Sequence, residues 1–386
     1  MSSITSRSQN RKRRAESSLS STSRGTKTTT KTSSTSAYSR NFQQILIDHG
    51  VYADGYEYPD GEIPSQPKNM DEIVERLAQP RSSLAPSRFS EGDFRKFKRA
   101  DANASKERPV ATPVIPTLEG RISNPKCVGG DHLFGNLAPL TDGTLASAKP
   151  DHFYGARPEQ LNRQISDDLS YHIVPSTQDD LPMRPNLFLE AKGPDGSLAV
   201  AMRQACYDGA LGARGMQSLQ SYQQDEPTYD NNAHTLTSIY HGGTLKMYAT
   251  HIHKSDNPDS RPEYIMTQLR SYSLTDTAET FRQGASAYRN ARDWAKDKRD
   301  GFIGVANETL RGQPESDLTP VLDDSDGSTE SDEYQDAQYS FAAPVEHGEA
   351  QQGKVRKPRI RVSESPDTAG DAASHITRDK PPRLQN

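Results

Sequence analysis

The sequence predicts a mixed α/β (α+β) fold, in which helices flank one central sheet, and three observations indicate it. Three strand-like runs follow one another at residues 235–240, 245–251 and 264–274. Two long stretches with helical spacing of apolar residues, 197–222 and 277–307, precede and follow those strands. A further apolar strand candidate lies before the first of these helices. This order is typical of helices packed against a single sheet.

Composition predicts one folded domain between two disordered tails. Hydrophobic residues make up 32% of the 386 residues, and Pro and Gly number 26 each. The basic, Ser/Thr-rich segment 1–40 and the segment 309–386, which is acidic over 315–349, contain too few apolar residues to form a core. We therefore expect one folded domain over 41–308, beginning with a helical part.

Cysteine content and hydropathy restrict the class of protein. The two cysteines, Cys127 and Cys206, cannot form a disulfide framework, so a reducing compartment is expected. No apolar run approaches the ~20 residues that a membrane helix needs, and no hydrophobic signal segment is present. A secreted or membrane-spanning protein is therefore not expected.

A compact basic block lies in the N-terminal tail. It consists of Arg11, Lys12, Arg13 and Arg14. Such a block in a flexible segment is suited to a nuclear import receptor and predicts a nuclear location, with the cytoplasm as the alternative. The other interpretation is a solvated tail that contains no localisation signal.

Three short helices are predicted in the N-terminal part of the domain. They cover 41–50, 70–77 and a stretch that starts at Ser90. In the third helix Phe94 and Phe97 share one side, and basic residues surround them: Arg95, Lys96, Lys98 and Arg99. This helix is either a nucleic-acid-facing surface, because basic side chains neutralise phosphates, or a solvated amphipathic helix.

The middle of the chain is predicted to alternate between strands, a helix and loops. Residues 110–115 have the composition of an edge strand, given their prolines. A short apolar run over 148–155 carries an acid, Asp151, near its start. The spacing over 157–173 predicts a helix, and 176–183 is a polar loop.

The stretch 185–193 carries an acid and a lysine at the end of an apolar run. Three consecutive apolar residues and a Gly-Pro-Asp-Gly exit predict a buried strand that ends in a turn. Glu190 and Lys192 project to the same side because side chains alternate along a strand. Opposite charges on an apolar strand are costly unless they pair or bind something. The pair is therefore a local ion pair or part of a metal-and-water site.

The sequence Pro150-Asp151 followed by Glu190-Ala191-Lys192 resembles the signature of the PD-(D/E)XK nuclease superfamily, which has a restriction-endonuclease-like fold. Arg203-Gln204-Ala205-Cys206-Tyr207 is similar to the Gln motif of its exonuclease-like branches. More closely, 41–307 resembles a fungal nuclease-like domain of unassigned function. The phrases that carry this closer resemblance are Asn136 to Thr141, Lys149 to Asp151, Leu189 to Gly196, Gln204 to Ala210 and Tyr240 to Tyr248.

The resemblance implies a restriction-endonuclease-like core and a bound Mg²⁺ or Mn²⁺. Asp151 and Glu190 would be the metal ligands, and Asp180 is the alternative to Asp151. Lys192 would position or activate a water. Gln204 would orient that lysine or the substrate, and the substrate-binding residues would be Tyr207 and Arg203.

The chain departs from the superfamily in two respects. Asp151 is far from Glu190 in the sequence and a predicted helix intervenes, whereas the superfamily joins these strands by a shorter hairpin. The acid that many members carry on the first helix cannot be placed, and its candidates are Glu72, Glu75 and Glu91.

Two hypotheses on function follow. In the first, the protein is a metal-dependent enzyme that hydrolyses phosphodiester bonds in nucleic acid, because a bound divalent ion neutralises charge and lowers the pKa of a water. DNA is expected as the substrate in preference to RNA. In the second, it keeps the nuclease fold without catalysis and binds nucleic acid or a protein partner.

Overall fold

A computed structural model describes residues 34–178, 180–254 and 261–312 of the chain. The basic block Arg11 to Arg14 and the predicted C-terminal tail from residue 313 onward lie outside the described residues. Helix α1 begins at Asn41, where the predicted domain begins. Within the described part, no helix is both long and apolar enough to span a bilayer.

The described residues form one mixed sheet of seven strands. The strands are β1 (Val51–Tyr52), β2 (Val128–Gly129), β3 (His152–Ala156), β4 (Met183–Lys192), β5 (Ala233–His241), β6 (Thr244–His253) and β7 (Glu263–Ser273). Their order across the sheet is β1-β7-β6-β5-β4-β3-β2. Every residue of β4 is buried, which confirms the buried strand predicted there.

Helices cover both faces of this sheet. They are α1 (Asn41–Asp48), α2 (Met70–Ala78), α3 (Glu91–Asn103), α4 (Glu107–Pro109), α5 (Ile115–Glu119), α6 (Arg163–Asp168), α7 (Ser170–Ile173), α8 (Leu198–Gln220) and α9 (Ala278–Arg311). The mixed α/β fold with a helix-flanked sheet is therefore confirmed. Helix α3 starts with the reciprocal Ser90–Asp93 capping box, which satisfies two free N–H groups of its first turn.

Alternation along β4 separates the two layers of the core. Leu187 and Leu189 pack in the layer that contains Tyr288 of α9. Phe188, between them, packs in the layer that contains Ala205 of α8. Burial of each such side chain stabilises the fold by roughly 1.5–3 kcal/mol. Even-numbered residues of β4 therefore face α8, which decides where Glu190 and Lys192 point.

Helix α8 connects two parallel neighbours and lies close to the sheet. Strands β4 and β5 pair in parallel, with Leu187 beside Leu236, and α8 makes the crossover between them. A Cβ at Gly209 would lie 2.4 Å from the Thr250 Oγ1, and one at Gly212 would lie 2.7 Å from the Phe188 ring. Glycine at these two positions therefore permits the close packing of α8 on the sheet.

The edge-strand prediction for 110–115 is wrong. Val110–Val114 form a π-helical turn that continues into α5. The buried residues Val114, Ile115 and Leu118 share one helical face in the layer beneath α9. Proline at the start of α5 is compatible with this, because the first helical N–H groups have no partner inside the helix.

The prediction of one helix over 157–173 is also wrong. The segment is a 3₁₀ turn at Pro158–Gln160 followed by α6 and α7. Leu161 is extended, and the Asn162 side chain accepts a hydrogen bond from the Gln164 N–H and so starts a new helix. The local cap interrupts the apolar periodicity.

The amphipathic character of α3 is confirmed. Phe94 and Phe97 are buried against the core, whereas its four basic side chains, Arg95, Lys96, Lys98 and Arg99, are exposed. Contact of this surface with nucleic acid stays a prediction.

Candidate active site

Three carboxylates surround one buried ammonium group at the end of β4. The Lys192 Nζ lies 3.2 Å from Glu190 Oε2, 3.3 Å from Asp151 Oδ2 and 3.6 Å from Glu107 Oε1. The Lys192 side chain is only 3% exposed, so these contacts are made away from bulk water. We call this group, together with Asp208 described below, the carboxylate cluster.

Strand register brings Asp151 to the cluster. Strands β3 and β4 are antiparallel, and His152 pairs with Leu189, so Asp151 lies beside Glu190 at the next position. The Ala191 N–H donates a hydrogen bond of 2.7 Å to Asp151 Oδ2, which holds the carboxylate against β4. Asp151 and Lys192 therefore meet although 41 positions separate them in the chain.

Glu107 belongs to the cluster and was missed from the sequence. It lies on the short helix α4, which approaches the end of β4 directly. A Cβ at Gly193 would lie 2.5 Å from the Lys106 carbonyl carbon, so glycine at this position permits the approach. The sequence signal for this approach is Gly193, which the Gly-Pro-Asp-Gly pattern predicts only as part of a turn.

The three acids considered for the first helix lie elsewhere. Glu72 pairs with Lys298 at 3.1 Å and accepts a hydrogen bond from Trp294 Nε1. Glu75 and Glu91 are exposed on their helices. In this structure the acid contributed by an N-terminal helix is Glu107.

Asp208 of α8 completes the cluster from the other side and was also missed. It is buried, and its carboxyl group lies beside that of Glu190. Burial raises the pKa of Asp208 to about 7. Burial, and then the charges of Asp208 and Asp151, raise the pKa of Glu190 well above its usual value. Burial and the neighbouring carboxylates thus favour the protonated form of both groups.

Lys192 keeps its charge in this environment. Burial lowers the pKa of Lys192, but the carboxylates of Glu190, Asp151 and Glu107 outweigh this effect and raise it overall. Burial also raises the pKa of Glu107. One ammonium thus faces four carboxyl groups, and the cluster has a surplus of negative charge that a proton or a cation must offset.

The part of the chain that contains the carboxylate cluster matches a known sequence family. The family described as "Domain of unknown function (DUF7924)" matches residues 103–303, which is more than half of the chain. The chain belongs to this family. No curated protein and no solved structure matches it. The DUF7924 match includes every member of the carboxylate cluster.

The carboxylate oxygens of the cluster are the type of ligand that binds a hard cation. Glu190 Oε1 and Asp208 Oδ2 are buried, and neither has an N–H or O–H donor among the described residues. Carboxylate oxygens are the ligands that Mg²⁺ prefers. Within the described ranges, however, no three His, Cys, Asp or Glu side chains are already arranged around a common ion position. Lys192 occupies the space between the carboxylates.

An open cleft of about 920 Å³ leads to the cluster. Asp151 and Glu107 line it, and their side chains are 17% and 46% exposed. Asp180, the alternative metal acid, is exposed on the wall of the same cleft. Asp151, which contacts Lys192, therefore lies closer to the chemistry than Asp180 does.

The residues proposed on α8 lie in different places. Gln204 lies one turn before Asp208, hence on the same helical face, and its Oε1 is buried without a hydrogen-bond partner. Arg203 donates to the Ala37 carbonyl at 2.8 Å.

Tyr207 packs edge-to-face on Phe42, at 5.9 Å between ring centroids. Arg203 and Tyr207 thus anchor the N-terminal segment, since their face of α8 is rotated by roughly 100° from that of Gln204 and Asp208. Their prediction as substrate-binding residues is not supported by this placement.

Proposed function

We propose that the protein is a metal-dependent phosphodiester hydrolase of the PD-(D/E)XK type that acts on nucleic acid, with the carboxylate cluster as its active site. One observation carries the proposal. Asp151 and Glu190 both contact the Lys192 ammonium, at 3.3 and 3.2 Å, at the inner end of an open cleft. The restriction-endonuclease-like core is part of the same proposal.

Asp151 and Glu190 would hold the divalent cation, with Asp208 behind Glu190. When bound, Mg²⁺ or Mn²⁺ supplies charge neutralisation at the phosphate and lowers the pKa of a water. Glu190 releases its proton before it can bind a cation, because metal ligands must be deprotonated. Binding of the ion therefore becomes stronger as pH rises.

Lys192 acts as a fixed positive charge. Its raised pKa keeps it protonated at neutral pH, so it stabilises the charge that develops on a phosphate and donates hydrogen bonds to a water. Glu107 lines the cleft and contacts Lys192, which makes it the carboxylate positioned to accept a proton from that water. Gln204 supports the cluster from the neighbouring helix.

A second function is favoured by a different observation. Lys192 fills the space between the carboxylates, and the described residues contain no preformed metal cage. A protein that keeps the fold and binds nucleic acid or a protein partner without cleaving it would have this arrangement. Its binding would weaken steeply as salt rises.

Cleavage of labelled DNA and RNA with Mg²⁺ or Mn²⁺ separates the two functions. The test variants are Asp151→Asn and Glu190→Gln, which keep the shape of the side chains. Asp180→Asn, on the wall of the same cleft, is the matched control. The hydrolase predicts activity that is lost in both test variants and kept in the control, with DNA cut faster than RNA. Salt-dependent binding with no metal-dependent cleavage would favour the second function.

We further propose that the protein enters the nucleus through an import receptor that binds Arg11, Lys12, Arg13 and Arg14. The support is the sequence alone. A fluorescent fusion of the full chain is expected in the nucleus, and replacement of these four residues by alanine is expected to move it to the cytoplasm. An unchanged distribution of the fusion protein would refute the role of this basic block as a nuclear localisation signal.

A further inference from the structure

A second cavity, of about 340 Å³, lies between α9 and the β2–β3 edge. Three cationic residues of α9 line it from positions i, i+4 and i+7, and so share one face of the helix: Arg292, Lys296 and Arg299. Arg157, just after β3, is the fourth cation in its wall. The size lies within the range of pockets that take small ligands.

Arg299 is buried with no carboxylate within 4 Å among the described residues, and Arg292 is mostly buried. Arg299 is 3% exposed, and its Nη1 donates to two neutral oxygens, Asn186 Oδ1 at 2.6 Å and the Tyr154 carbonyl at 3.4 Å. Its Nε is buried with no hydrogen-bond partner. Arg292 is 15% exposed, and both its Nη atoms donate to backbone carbonyls.

Carboxylates lie near three of the four cations, and the Arg157 Nε is 3.4 Å from Glu159 Oε2. Asp293 is the one acidic residue among the described residues of the wall. It pairs with Arg81 at 2.7 Å and lies 4.0 Å from Arg292 Nε. Asp300 pairs with Lys296. Arg299 is the one cation of this wall with no carboxylate within 4 Å among the described residues, so the uncompensated positive charge of the cavity lies there.

Burial of a cation without a counter-ion is costly unless a ligand supplies the opposite charge. Burial lowers the pKa of Arg299 to about 10, in keeping with that cost. Guanidinium groups pair with phosphate through two parallel hydrogen bonds. We propose that this cavity is a binding site for a phosphoryl group, formed by Arg292, Lys296 and Arg299 with Arg157 at its edge.

The cavity adjoins the cleft of the carboxylate cluster. Glu119 joins them, because its carboxylate accepts from the Tyr154 hydroxyl at 2.6 Å and pairs with His152 Nδ1 at 3.2 Å. Tyr154 lines the cavity and His152 lines the cleft. These residues are two positions apart on β3, roughly 6.6 Å along the strand. The phosphoryl group can therefore come from a nucleic-acid strand end or from a free small phosphate.

Binding is measured by calorimetry on the full chain in EDTA, so that cleavage plays no part. The probes are pyrophosphate and short DNA oligonucleotides with and without a terminal phosphate. The test variants are Arg292→Gln and Lys296→Gln, and the matched control is Arg282→Gln on the same helix. We expect the test variants to bind about tenfold or more weakly, which is the usual effect of losing a charge-assisted hydrogen bond, and the control to bind like the wild type.

Each outcome is decisive. Pyrophosphate binding lost in the test variants supports the site with a free phosphate as ligand. Preference for the phosphate-terminated oligonucleotide, lost in the same variants, supports it with a strand end as ligand. No binding of any phosphate probe, or equal binding by test variants and control, overturns the site. Absence of cleavage by the wild type, with binding of the phosphate probes retained, would refute the hydrolase without affecting this site.

Discussion

The Asp208→Asn variant tests the electrostatics of the carboxylate cluster most directly. The folded protein raises the pKa of Asp208 from 3.8 to about 7. Below about pH 4 the group is protonated in both the folded and the unfolded chain, and its contribution to stability is fully present. As pH rises toward 7 the unfolded chain loses this proton while the folded chain keeps it, so the metal-free protein becomes less stable.

The pKa shift sets the size of the effect. A difference of about 3 pKa units corresponds to on the order of 4 kcal/mol of unfolding free energy lost between pH 4 and pH 8. Asparagine keeps the shape of the side chain and cannot ionise. It also removes the charge that helps to raise the pKa of Glu190. The variant should therefore be more stable than the wild type at pH 8 and similar to it at pH 4.

Urea unfolding in EDTA at pH 4 and pH 8 measures both free energies. The control is Asp180→Asn, an exposed acid on the cleft wall, which should keep the pH dependence of the wild type. The reasoning is refuted if Asp208→Asn has the same pH dependence as the wild type, or is less stable than the wild type at pH 8.

Three further predictions concern metal binding and packing. Mn²⁺ titrated into the protein should bind more tightly at pH 8 than at pH 5.5 and release protons, because Glu190 must ionise; equal heats in buffers of different ionisation enthalpy would contradict this. Gly193→Ala should lower the unfolding free energy, measured by urea titration, by about 1–3 kcal/mol, because its Cβ would lie 2.5 Å from the Lys106 backbone. The control is Gly301→Ala, which has open space around its Cβ and should raise the unfolding free energy or leave it unchanged. Arg184 is fully buried, and its three side-chain nitrogens have no hydrogen-bond partner among the described residues. Arg184→Met should therefore raise the unfolding free energy by about 1–4 kcal/mol; a lower melting temperature would show that the guanidinium has a stabilising partner in solution.

The predicted elements that the structure confirms are those with a strong local pattern. The run over 185–193 is apolar and bounded by turn residues, and it forms β4. Gly242 and Gly243, both with positive φ, make the hairpin turn between β5 and β6, which correspond to the predicted runs 235–240 and 245–251. The segment 110–115 was predicted as an edge strand because of its prolines, but it packs beneath α9 as a helix.

The sequence by itself determined strands β4 to β7 and helices α8 and α9. It also determined the shared side of Glu190 and Lys192 and, through a resemblance, indicated Asp151 as their partner. Only the tertiary structure decided that Glu107 and Asp208 join them, and that Arg203 and Tyr207 do not. The physical reason is that periodicity is a property of neighbouring residues, whereas the charge balance of a buried site depends on segments that meet only when the chain folds.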